Sequence, residues 1–124
     1  MANVALTKSY NAAGTIAAYT FVKFGSNDYD VVAAAAATDA LIGVTKEYGY
    51  VNAEPADVVH EGIAYVKLGG TVTRGDLLTS DASGFGVTAA PSAGTNNRIG
   101  GMAIVSGVSG DVIPVLLKLG SFQG

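Results

Sequence analysis

Residues 69–88 read GGTVTRGDLLTSDASGFGVT, and this alternation of short β-prone runs with glycine turns constrains the fold more than any other feature. Thr71-Val72-Thr73 leads into Arg74-Gly75-Asp76. Leu77-Leu78-Thr79 then leads into Asp81-Ala82-Ser83-Gly84, and Phe85 opens a further run. Three or four β-branched or apolar residues bounded by Gly, Asp and Ser form a strand-turn-strand beat that no helix tolerates. Gly75, Asp76, Asp81 and Gly84 are therefore expected to be structural turn residues, with positive φ at one or both glycines.

The same beat occurs in residues 14–32, GTIAAYTFVKFGSNDYDVV. Thr15-Ile16 stands where Thr71-Val72 does, Tyr29-Asp30-Val31 where Phe85-Gly86-Val87 does, and Ile42-Gly43 where Ile99-Gly100 does. Part of this match is composition, since the chain is rich in Ala, Gly, Val and Thr. The remainder suggests one compact β unit of two similar halves.

Elsewhere the chain repeats the pattern. Residues 1–13 read as an N-terminal arm or a first strand, because Val4 and Leu6 alternate only weakly with Asn3 and Thr7. Residues 14–124 read as a single β domain. Ala33 to Ala37 favours helix by propensity but is too short to hold one alone, so a close-packed extended segment is expected there, with a single helical turn as the alternative. Residues 41–46 read as a strand, and residues 48–57 as a polar loop. Val58-Val59 and residues 63–68 read as two paired strands around Glu61-Gly62. Residues 89–98 read as the longest loop, and Pro114 places the last strand at an edge or a bulge. The expected class is all-β: a small barrel or sandwich of short strands, β-clip or tulip-like, with little helix.

Composition bears on function mainly by exclusion. Charged residues make up 14% of the chain, against about 25% in an ordinary domain, while 49% is hydrophobic. So few charges leave a surface of Ala, Ser, Thr, Asn and Gly, which suits close packing in an assembly. A net charge of −3 without a basic cluster argues against a nucleic-acid partner. No run reaches the roughly 18 apolar residues of a membrane span, the N-terminus carries no continuous apolar segment of signal type, and there is no cysteine.

No pattern of catalytic residues emerges. His60 is the one histidine, read as a half-exposed strand-end residue. Glu54, Asp57 and Glu61 fit no EF-hand spacing and read as a solvated acidic patch. Ser106 to Gly110 reads as a hairpin turn, and Arg74-Gly75-Asp76 spells the integrin tripeptide at a place where the turn already calls for glycine. The sequence is thus expected to be no enzyme and to use no cofactor and no metal.

In order, the pieces TDALIGVTKE, GIAYVKLGG, RGDLLTSDASG, NRIGGMAIVSG and GDVIPVLL resemble the small capsid decoration (cement) proteins of tailed bacteriophages. The glycine-aspartate turn is also similar to that of β-clip and SAF domains. The resemblance implies a virion structural protein on the capsid exterior, made in the host cytoplasm, that braces the shell by binding the major capsid protein. It implies a homo-oligomer, a trimer before a dimer, and no membrane partner. It also implies an N-terminal arm reaching the shell, for which Val4, Leu6, Lys8 and Tyr10 are the candidate contacts. The alternative is a carbohydrate-binding or fibre-tip adhesion module, for which Tyr48, Tyr50 and Tyr65 would be the grouped aromatics. A SAF-like accessory domain of an enzyme is a third reading, disfavoured without a catalytic partner domain.

Overall fold

The computed structural model describes residues 3–124. Nine strands run in order: β1 (Asn3–Ala12), β2 (Phe21–Phe24), β3 (Asp30–Ala33), β4 (Gly43–Thr45), β5 (Pro55–Lys67), β6 (Leu77–Ser80), β7 (Gly86–Thr88), β8 (Asn96–Ala103) and β9 (Val112–Gln123). There is no helix among the described residues, and the fold is an all-β small barrel with extra strands. Five strands in the order β1-β3-β2-β4-β5 close on themselves through the antiparallel β1–β5 ladder. A closed ring leaves few open edges, which is how short strands with small side chains become a stable unit.

β5 then serves twice. Beyond its pairing with β1 and β4, residues 62–67 pair with β9, and the sheet continues as β9-β8-β6-β7. The second set repeats the first almost bond for bond. Thr7↔Val59 through Asn11↔Pro55 in β1–β5 recurs as Ile63↔Leu116 through Lys67↔Val112 in β5–β9. The parallel contact Ala12↔Val31 recurs as Leu68↔Gly86, and the bridge Ile16↔Tyr50 recurs as Val72↔Gly107. Positive φ falls at matching places too: Tyr19 (56°) with Gly75 (94°), Tyr29 (65°) with Gly84 (83°), and Ala53 (71°) with Gly110 (93°). The two halves suggested by sequence are therefore one supersecondary unit used twice, with β5 the last strand of the first and the first strand of the second.

Each unit has its own interior. Ala12, Ile16, Val22, Val31, Ile42, Ala56 and Val58 fill the first barrel. Val66, Leu68, Val72, Leu78, Ala103, Ile113 and Val115 fill the second, joined there by Phe21, Val44 and Val59 from the outer face of the first. Phe21 is the junction. Its N–H donates to the Gly84 carbonyl (2.8 Å), and its ring lies against Gly86 and Gly100; a Cβ on Gly100 would collide with the ring. The mouth of the second barrel is thus plugged by a side chain of the first.

The turns follow their local chemistry. The Asp81 carboxylate accepts the N–H of Ser83 (2.8 Å) and of Phe85 (2.9 Å), and Asp76 accepts the Thr73 N–H and the Thr88 hydroxyl (both 2.9 Å). The two glycines differ in surroundings. A Cβ on Gly75 meets nothing within 4 Å, whereas one on Gly84 collides with Thr20 and crowds the Phe21 and Ala34 carbonyls. Gly75→Ala is expected to cost about 1 kcal/mol, the penalty of alanine at positive φ alone. Gly84→Ala adds overpacking, typically about 1–3 kcal/mol more. Chemical denaturation of both variants checks this, and equal midpoints would contradict it.

Three sequence expectations are corrected, and one left open, arm or strand at the N-terminus, is decided. Val58-Val59 and residues 63–68 are not paired with each other; they lie in one strand, because Gly62 (φ 101°) lets β5 pass a bulge facing β1 without breaking. Pro114 is flanked on both sides, by Tyr65 on β5 and by the end of β8. It is tolerated because β8 stops at Ala103: the Pro114 carbonyl still accepts the Ile104 N–H (3.3 Å), and the missing N–H falls where that ladder ends. The loop over residues 89–98 ends at Thr95, since Asn96 to Arg98 pair with β9. Residues 3–12, read as an arm or a strand, form a strand built into the first barrel.

Candidate functional site

The mouth of the first barrel is the counterpart of the mouth that Phe21 plugs in the second. Strand for strand, Ala64, Val66, Leu117, Gly100 and Gly84 of the second unit correspond to Lys8, Tyr10, His60, Ile42 and Tyr29 of the first, so the ladders place Ile42 and Tyr29 one residue away from the letter matches with Ile99 and Phe85. Small and apolar groups that receive a neighbour are replaced by aromatic and polar groups that receive none.

These side chains order one another. His60 lies inside β5 rather than at a strand end. Its Nδ1 is 2.7 Å from the Ile42 carbonyl and its Nε2 is 2.7 Å from the Tyr10 hydroxyl. A carbonyl only accepts, so Nδ1 carries the proton, and in the neutral ring Nε2 accepts the Tyr10 O–H. Burial, and then the nearby Tyr29, hold the Tyr10 hydroxyl above the usual phenol range, which keeps it a donor. The Tyr10 ring meets His60 and Phe24 edge-on at 5.5 and 6.1 Å between centroids. The Lys8 ammonium lies 5.7 Å from the Tyr10 centroid and 5.5 Å from that of Tyr29. Beside them is a depression of about 520 Å³ lined by Lys8, Tyr10, Phe24 and the turn Ser26 to Tyr29. Phe24 and Tyr29 are 56% and 67% exposed.

The other sequence candidates are not brought together in this way. Tyr50 packs on the first core, Tyr65 meets Tyr19 edge-on, and Tyr48 stands exposed. Glu54, Asp57 and Glu61 form no metal-holding group among the described residues. Glu54 caps the Val51 N–H and Asp57 accepts the Ser9 hydroxyl. In the integrin-like tripeptide, Asp76 is occupied within its own turn and the Arg74 N–H donates to Ser106. Of the four candidate shell contacts, Lys8 and Tyr10 belong to the mouth, and Leu6 lines a depression with Leu117, Lys118 and Leu119. The side chain of Val4 lies outside the described part. Sequence reading missed Phe24, Tyr29 and His60 as members of one site. Their spacing carries no signal, because three strands bring them together.

Two further surfaces stand open. On the outer face of the second unit, Leu77, Met102, Leu116 and Ile63 align across β6, β8, β9 and β5, with Ile104, Pro114 and Tyr65 in the next row. The equivalent row of the first unit, Phe21–Val44–Val59, is buried beneath the second unit, yet Leu116 is 42% exposed. The second surface is the edge of β1. Apart from Asn11 and Ala12, which meet β3, the strand is paired on its β5 side alone among the described residues.

No protein-family model matches the chain, and no curated protein sequence matches it. Among solved structures, the fold is similar to the head fiber gp8.5 N base in bacteriophage phi29. The TM-score is 0.71 over 96% of this chain and 98% of that one, at 15% sequence identity. That likeness establishes the shared all-β fold.

Proposed function

We propose that this protein is a bacteriophage virion structural protein that works as a homo-oligomer on the capsid exterior and binds the major capsid protein. The observation that carries this reading is the partly exposed apolar row Leu77–Met102–Leu116–Ile63, with Leu116 its most open member, whose twin in the first unit is an interior surface. An apolar sheet face in register is costly to leave in water and marks an interaction surface. Similarity in fold to a phage head fiber base supports the setting.

A second copy suits the apolar row. Glu61 and Lys118 line a depression along the β5–β9 ladder, and among the described residues neither is in an ion pair, so each copy offers one charge of each sign to its neighbour. The capsid contact falls to the free edge of β1 and to Leu6 and Leu119, since an unpaired edge can add a strand from another chain. Contacts of this size become firm when repeated over a lattice.

Sedimentation and electron microscopy test this together. Wild-type protein is expected to form an oligomer at high concentration and to decorate bare capsids. Leu116→Asp should be monomeric with unchanged melting, because its side chain is already half in water, and its capsid occupancy should fall at least tenfold. Leu6→Asp should lower occupancy without changing the oligomer. A monodisperse wild-type monomer that ignores capsids would refute the proposal.

A further inference from the structure

We infer that the mouth of the first barrel, formed by Lys8, Tyr10, Phe24, Tyr29 and the turn Ser26 to Asp28, is a binding site for a neutral saccharide. The argument begins with a contrast within the chain. The matching mouth of the second unit is closed by Phe21 and lined with Gly84, Gly86 and Gly100. In the first unit nothing among the described residues covers the mouth, and two aromatic rings lie open at its rim. Openings of small β-barrels are recurrent ligand sites, and about 520 Å³ is room for one or two sugar rings.

Tyr29 is the most informative residue. It holds a left-handed φ of 65° at the place where the second unit has Gly84, a conformation that costs a bulky residue strain. Tyr19 shares such a φ but packs edge-on against Tyr65, which accounts for it. The Tyr29 ring is two-thirds exposed and fills no core, so packing does not account for it. The exposed ring has the Lys8 ammonium 5.5 Å from its centroid.

The chemistry around the rings selects the ligand class. The electron-rich face of an aromatic ring attracts the apolar, electron-poor C–H face of a pyranose. Ser26, Asn27, Asp28 and Lys8 supply donors and acceptors around that face for hydroxyl groups. Asp30 is satisfied by Asn11 (2.9 Å) and Asn27 (3.2 Å), which fixes the turn. Asp28 in the lining and Asp30 beside it outnumber Lys8, so the site has no excess positive charge to favour an acidic sugar. The saccharide site is separate from the apolar row and adjoins the proposed capsid contact, since Lys8 and Tyr10 also line the depression that holds Leu6 and Leu119.

Titration of the ¹⁵N-labelled protein with chitotriose, maltotriose and cellotriose, with sialyllactose as an acidic comparison, tests the inference by amide shifts. At least one neutral trisaccharide should move the amides of Lys8 and residues 24–29 in a saturable manner. Phe24→Ala should weaken that binding at least tenfold. Tyr29→Gly should abolish it while the melting temperature stays level or rises, since glycine relieves the strained φ. A purely structural role for Tyr29 would lower the melting temperature instead. Silence of the whole panel at 10 mM, shifts confined to other residues, preference for sialyllactose, or wild-type affinity in Tyr29→Gly would each overturn the inference.

Discussion

Deleting residues 1–9 is expected to abolish folding. Asn3 to Ser9 supply most of the β1–β5 ladder, from Asn3↔Ile63 to Ser9↔Asp57, and that ladder closes the first barrel. Without it β5 loses its partner along residues 57–63, next to the part of the same strand that opens the second unit. Val58 and Val59, buried in the intact protein, would stand beside a gap. A domain of this size holds only about 5–15 kcal/mol of net stability, and losing a closing strand costs an amount of that order. Far-ultraviolet circular dichroism and a thermal melt check this. A truncated protein that melts cooperatively near the wild-type temperature would restore the reading of this segment as a detachable arm.

Phe21→Ala should be the most damaging single substitution. Phe21 is wholly buried, the largest such side chain, and occupies the space left open by Gly86 and Gly100. Truncation removes the ring from both units at once and leaves a cavity at their junction. Losses of about 3–5 kcal/mol are usual for a buried phenylalanine. Phe21→Leu should recover much of that loss, whereas a large residue at Gly100 should be as harmful as Phe21→Ala, since it competes for the same volume. Urea denaturation measures all three. A loss below about 1 kcal/mol in Phe21→Ala would mean that the two units do not depend on this contact.

The sequence by itself determined the local parts. Turn chemistry at Gly75-Asp76 and at Asp81 to Gly84 is a matter of neighbours, so it was legible, and so was the all-β class, which follows from short runs bounded by turns. The echo of Thr15-Ile16 in Thr71-Val72 was legible as well, although offset letters alone do not show that paired strands repeat with them. What only the tertiary structure decided depends on partners far along the chain. Residues 3–12 become a strand because β5 meets them, and Pro114 fits between two strands because β8 ends beside it. His60, a lone histidine in sequence, is fixed by Tyr10 and the Ile42 carbonyl from two other strands. The positive φ of Tyr29 is invisible in its letter, and its glycine twin is found only by superposing one ladder on the other. Hydrogen bonding within a turn is written in four consecutive residues. A barrel mouth is written in the register of five strands, which no short window of sequence contains.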